Sequence, residues 1–157
     1  IDVFTTAIQN DMKVGELFDI DYAYSPPYAP AKDPAAVAGA VANNALKSGV
    51  KFLSPQKLKE KIQKYPHDIM LVDVREPHEL EDNGYIKSAV NIPLNEVRNR
   101  LGEFDDTKEI VFYCRQGLRG YLAAKVLVNL GFKNVSNLSG GLLNWPYQEL
   151  IVFEKSC

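Results

Sequence analysis

Two rhythms of apolar residues run along this chain. Over 69–74 and 110–113 they are nearly continuous, Ile-Met-Leu-Val-Asp-Val and Ile-Val-Phe-Tyr, which is the pattern of strands buried on both faces. A shorter run, Val135 to Leu138, reads the same way. Elsewhere the spacing is helical. Ser54-Pro55 supplies an N-cap and first helical residue, and Leu58 and Ile62 then fall on one face of a helix running through Tyr65. Asp33-Pro34 opens another, alanine-rich helix that reaches Ser48 and closes at Gly49. Further helical segments are expected at Pro77–Asp82, Leu94–Phe104, Arg119–Leu130 with Gly131 as its cap, and from Gly141 through Leu143 onward. Strands alternating with helices of this length predict an α/β fold, an open and mainly parallel sheet with helices on both faces.

The segment Tyr22-Ala23-Tyr24-Ser25-Pro26-Pro27-Tyr28-Ala29-Pro30 breaks both rhythms. Its prolines remove backbone donors and push the preceding residues to extended conformations, so it is expected to run as an arm or loop. Charge marks a boundary nearby. Residues 1–50 hold six acids and three lysines, whereas 51–157 hold fourteen acids and fifteen bases. Two modules are therefore expected, 1–50 and 51–157.

Composition narrows the class. With 157 residues, 46% hydrophobic and 24% charged, the chain has the balance of a globular protein with a real core, which argues against disorder, collagen or a disulfide scaffold. A formal charge of -2 builds in no global attraction to nucleic acid or acidic membrane. Two cysteines, Cys114 and Cys157, make no disulfide framework. No stretch approaches the roughly 20 apolar residues of a membrane span, and Ile1-Asp2-Val3 lacks the order of a secretory leader. A protein of the reducing cytoplasm is expected, and the absent initiator Met points to an excerpt or a processed product.

Chemistry gathers after the strands. In parallel sheets ligands sit at the carboxyl ends of strands, where helix N-termini converge. Asp73-Val74-Arg75-Glu76 follows the first long strand, and Cys114-Arg115-Gln116-Gly117-Leu118-Arg119-Gly120 follows the second. A cysteine so placed meets loop amides, a helix N-terminus and the cations Arg115 and Arg119, all of which favour a thiolate. Gly117 and Gly120 allow positive φ or close backbone approach, so the loop can turn its N–H groups toward the sulfur. The expected product is an anion-binding cradle around a thiolate, equally suited to a persulfide on that sulfur. The plainer alternative is a buried structural cysteine beside two surface arginines. His67 and His78 lie on polar segments, so no separate general base is evident, and an ionised thiol needs none. Metal-ligand spacing is lacking.

Residues 51–147 resemble a rhodanese-homology domain. The resemblance is carried by Leu71-Val72-Asp73-Val74-Arg75-Glu76, by Gly84-Tyr85-Ile86-Lys87-Ser88-Ala89-Val90-Asn91-Ile92-Pro93-Leu94, by the Cys114–Gly120 loop, and by Leu138-Ser139-Gly140-Gly141 with Trp145. It implies a sulfurtransferase in which Cys114 takes sulfane sulfur as a persulfide and hands it to a thiol or other nucleophile. The loop, six residues from Cys114 to Arg119, is one shorter than the related phosphatase and arsenate-reductase branch uses. The family often has His at Tyr85 and Gly at Ser88. Asp73 and Arg75 have two readings, fixing the active loop or locking two strand ends together. Gly140-Gly141 are expected to shape the rim, and Trp145 to pack in the core or at its edge. A non-catalytic, anion-binding module is the alternative function, and Cys157 is either a resolving thiol or incidental.

Residues 2–44 resemble the last part of the dimerisation domain of coenzyme A disulfide reductases and related flavin-dependent NADH oxidases. The resemblance rests on Thr6-Ala7-Ile8, Ala23-Tyr24-Ser25-Pro26-Pro27-Tyr28, Ala31-Lys32-Asp33-Pro34 and Asn43. Some members carry a rhodanese domain directly behind this segment. The resemblance implies a homodimeric parent with FAD, NAD(P)H and coenzyme A, and no cofactor in this chain. There Tyr24 would contact coenzyme A or the partner subunit; alternatively Tyr22, Tyr24 and Tyr28 only pack a proline-rich linker.

Overall fold

The computed structural model describes residues 1–23, 27 and 32–153. It divides into two compact units, Ile1–Gly49 and the remainder from Val50. Tyr24 and Cys157 lie outside the described residues, as does most of the proline-rich segment.

The first unit contains α1 (Asp2–Gln9), α2 (Glu16–Asp19) and α3 (Pro34–Lys47). The α3 cap is the expected one: the Asp33 carboxylate accepts the Ala35 N–H at 2.8 Å, and Pro34 opens the helix. Gly39 lets α3 approach α2, since a Cβ there would lie 2.7 Å from the Leu17 Cβ. Ile8, Val41 and Leu46 stay 76%, 58% and 75% exposed, so this unit leaves much of its apolar surface uncovered.

The second unit is the predicted α/β layer structure. β1 (Lys51–Leu53), β2 (Ile69–Asp73), β4 (Val90–Asn91), β5 (Glu109–Tyr113) and β6 (Val135–Leu138) form one sheet in the order β1-β6-β5-β2-β4. Every pairing in it is parallel. β3 (Tyr85–Ile86) and β7 (Ile151–Val152) make a separate antiparallel pair. The helices are α4 (Pro55–Lys64), α5 (Pro77–Asn83) and α6 (Leu118–Asn129). Strand alternation sorts the core into two layers. Val72, Ile110 and Phe112 pack with Ala123, Ala124 and Leu127 of α6, whereas Leu71, Val111 and Tyr113 pack with Leu58 of α4, Leu138 and Trp145. Helices thus cover both faces. Trp145 is core, as expected, and its indole N–H donates to the Tyr147 carbonyl at 3.1 Å.

Residues 94–104 depart from the expected helix. They form successive turns and a short 3-10 turn at Leu101–Glu103. Asn95 and Asn99 favour turns through their own side chains, and Gly102 weakens any helix crossing it. Arg100 braces the turns by pairing with Glu96 at 3.0 Å and Glu103 at 2.6 Å. The segment from Gly141 is likewise a single 3-10 turn, Gly141–Asn144. Ser88 has φ 73, a left-handed backbone at a position where the rhodanese resemblance expects Gly. No described helix is long and apolar enough to cross a membrane.

Candidate active site at Cys114

The central strand β5 delivers Cys114 to the carboxyl edge of the sheet, where its side chain is buried. The chain then turns through Arg115 and Gln116 to Gly117, whose φ of 105 is the left-handed value only glycine takes without strain, and enters α6. That turn aims the Gly117 N–H at the Cys114 Sγ, 3.1 Å away. One loop amide therefore donates to the sulfur, and the N-terminus of α6 lies directly behind it.

The loop is held by three hydrogen bonds from two elements. The Asn137 side-chain amide of β6 donates to the Gly117 carbonyl at 3.1 Å. The N–H groups of Leu142 and Leu143 donate to the Cys114 and Arg115 carbonyls at 2.8 and 3.0 Å. Glycines make both approaches possible. A Cβ at Gly120 would run into the Asn137 Oδ1 and lie 3.1 Å from the Tyr113 Cα; one at Gly141, where φ is 60, would run into the Cys114 carbonyl oxygen. Asn137 Oδ1 is the one buried side-chain oxygen or nitrogen among the described residues without a hydrogen bond, because it sits against the bare Cα of Gly120.

The two loop arginines part company. Arg119 grips the Glu79 carboxylate bidentately, at 2.6 and 2.8 Å, and also interacts with the Cys114 sulfur. Its pKa is raised, chiefly by the hydrogen bond to Glu79. Glu79 answers in the opposite sense: the Arg119 guanidinium is the main reason its carboxyl is lowered from 4.5 to about 2. Arg115, by contrast, is exposed and lines a cleft of about 200 Å³ with Leu142, Leu143 and Trp145. Gln116 and Leu118 are exposed on the loop surface.

Asp73 and Arg75 form a buried ion pair at 2.6 Å. Burial opposes the charge on Arg75, but the Asp73 carboxylate outweighs it and the pKa is raised. The rest of the Arg75 fork donates to the Glu79 and Gly84 carbonyls at 3.2 and 2.7 Å, gripping both ends of α5. Asn91 donates to the carbonyls of Asp73 and Arg75 at 3.0 and 2.9 Å. Asn91 thus ties the ends of β4 and β2, while the ion pair, through α5, fixes the helix that presents Glu79 to Arg119.

Glu79, Asn91 and Asn137 escaped the sequence reading. Glu79 had a local signal: it lies three residues beyond Glu76, and its carboxylate accepts the Glu76 N–H at 3.1 Å in a capping arrangement. Nothing local marks it as the partner of Arg119, 40 residues away. Among the described residues no group of His, Cys, Asp and Glu is placed to hold a metal.

A central strand that ends in a buried thiol, followed by a six-residue loop closing on an arginine at a helix start, is an arrangement that can support chemistry on a cysteine sulfur. The comparisons with known proteins give the class its family. The chain belongs to the rhodanese-like domain family, whose model matches residues 54–147; at the level of that family it is a sulfurtransferase-type enzyme. A sulfurtransferase of Allochromatium vinosum is 37% identical over 78 residues, which cover 50% of this chain and 72% of that one. Among solved structures, reduced Bacillus anthracis CoADR-RHD superposes with a TM-score of 0.86 at 38% identity, covering 97% of this chain and 27% of that one. A NAD-dependent persulfide reductase from A. fulgidus gives a TM-score of 0.72 at 36% identity, covering 92% and 25%. This chain spans about a quarter of the length of either reductase.

Proposed function

We propose that Cys114 is the sulfur-carrying nucleophile of a sulfurtransferase, and that the Cys114–Gly120 loop binds the anionic group it acts on. The observation that carries this reading is the sulfur itself, which accepts the Gly117 N–H at 3.1 Å while interacting with Arg119. In the loading step the Cys114 thiolate attacks the sulfane sulfur of a donor such as thiosulfate. The S–S bond of the donor breaks, sulfite leaves with the bonding pair, and a persulfide remains on Cys114. In the second step an acceptor thiolate attacks the outer sulfur and Cys114 departs as thiolate. The Gly117 amide and Arg119 stabilise negative charge on the sulfur in both steps.

We further propose that the chain works within a larger flavoenzyme. The support is the likeness to two reductases over more than nine-tenths of this chain, first unit included. It agrees with the uncovered apolar residues of α1 and α3, which would pack against further domains. In that parent, homodimeric and working in the reducing cytoplasm, FAD, NAD(P)H and coenzyme A would serve the reductase domains. The rhodanese domain would exchange sulfur with coenzyme A persulfide or polysulfide, and Tyr24 would contact coenzyme A or the partner subunit.

The loading step is tested on this chain alone. Mixed with thiosulfate without an acceptor, the protein is expected to release sulfite in a burst equimolar with its Cys114. A Cys114→Ala variant that releases the same burst would refute the assignment.

A further inference from the structure

Two of the three arginines at the Cys114 loop are paired with carboxylates. Arg75 is buried against Asp73 at 2.6 Å. Arg119 gives both terminal nitrogens to Glu79, at 2.6 and 2.8 Å. Arg115 alone is exposed, and no carboxylate among the described residues lies within ion-pair distance of it. Glu79 is anchored independently of Arg119: its carboxylate accepts the Glu76 N–H at 3.1 Å, and its carbonyl accepts the Arg75 guanidinium at 3.2 Å. Its side chain is 18% exposed, and its carboxyl, lowered to about 2, stays ionised at neutral pH. An arginine beside a reactive sulfur attracts an anion more strongly with each negative charge the anion carries. Here that gain is cancelled, because the Arg119–Glu79 pair has no net charge and a second negative charge on an incoming donor meets the carboxylate as well as the guanidinium.

We infer that Glu79 is the donor-selecting residue of the loop, turning it away from dianions such as thiosulfate and toward sulfane-sulfur donors that bring a single negative charge to the reacting end, the class of persulfides and thiosulfonates. The inference rests on the persulfide reading above. Thiosulfate still loads Cys114, more slowly than it would beside an unpaired arginine. The favoured steps balance in the same way. With a persulfide donor the Cys114 thiolate bonds to the outer sulfur, the donor S–S bond breaks, and a thiolate leaves with the bonding pair. With a thiosulfonate the sulfane sulfur is taken and a sulfinate leaves.

The test compares two donors that deliver the same sulfur and differ by one negative charge, thiosulfate and ethanethiosulfonate. Rate constants for loading Cys114 from each are measured by mass spectrometry of quenched samples, on the wild type and on Glu79→Gln, which keeps an acceptor for Arg119 and removes the charge. The thiosulfate to ethanethiosulfonate ratio is expected to rise about fivefold or more in the variant, the effect of one unit charge about 4 Å from another in water. That gain is expected to shrink at high salt. A Glu79 that only positions Arg119 would slow both donors alike, so an unchanged or lowered ratio overturns the inference. Should Glu79→Gln not fold, the Glu79→Gln/Arg119→Gln double variant, which loses both charges together, must keep the wild-type ratio to within about twofold; a larger change overturns the inference. Loading by neither donor refutes the persulfide reading and the inference with it, whereas loading by both with an unmoved ratio refutes the inference alone.

Discussion

Arg119 is held by the Glu79 carboxylate, and the nearby Cys114 sulfur adds a lesser contribution to its raised pKa. Glu79 orients the planar guanidinium through two parallel bonds, which a lysine could not reproduce. The pairing has a pH signature. The Glu79 carboxyl lies at about 2 in the fold against an ordinary 4.5, so the unfolded chain binds its proton first as pH falls. Its contribution to stability is fully present above about pH 4.5 and is lost progressively toward pH 2. With the Arg119 side chain 34% exposed, solvent screening limits that contribution to about 1 kcal/mol. Urea denaturation should show Glu79→Gln less stable than wild type by that amount at pH 7, with the gap closing below pH 4. A constant gap across this range would show that the ion pair is not its source.

At the scale of elements, the site is a junction of β5, its loop and α6, clamped by β6 and the Gly141 turn. Gly120 sets how closely α6 lies on β5, because any side chain meets Asn137 and the Tyr113 backbone. Gly120→Ala should cost about 1–3 kcal/mol by overpacking and displace the start of α6 from the sulfur. Sulfur loading should then fall at least tenfold while the far-UV spectrum is retained; unaltered loading would show that α6 does not position the loop. Much of this junction was legible in the chain. The apolar runs gave β2, β5 and β6, and the Ser54-Pro55 and Asp33-Pro34 pairs gave the starts of two helices. What stayed hidden has a physical cause. β3, β4 and β7 are two residues long, too short for any periodicity to register. At 94–104 side-chain turn preferences and Gly102 prevail over apolar spacing. Glu79 and Asn137 act through partners 40 and 20 positions away, and distance along the chain carries no local signal.

On the scale of the whole molecule, one unit holds a complete parallel sheet with its site, and the other holds three helices with exposed apolar residues. The likeness to the two reductases runs through both units, whereas the family model covers 54–147 alone. Sulfur chemistry can therefore be interrogated in this chain without the parent, while its coupling to coenzyme A belongs to the larger protein proposed here. The central claim is that Cys114 carries the sulfur. Intact and peptide mass spectrometry after treatment with thiosulfate tests it most directly. One added sulfur atom is predicted on the Cys114 peptide of the wild type, removable by a thiol reductant and missing from Cys114→Ala; no adduct on wild type, or an adduct elsewhere that survives the substitution, would contradict it.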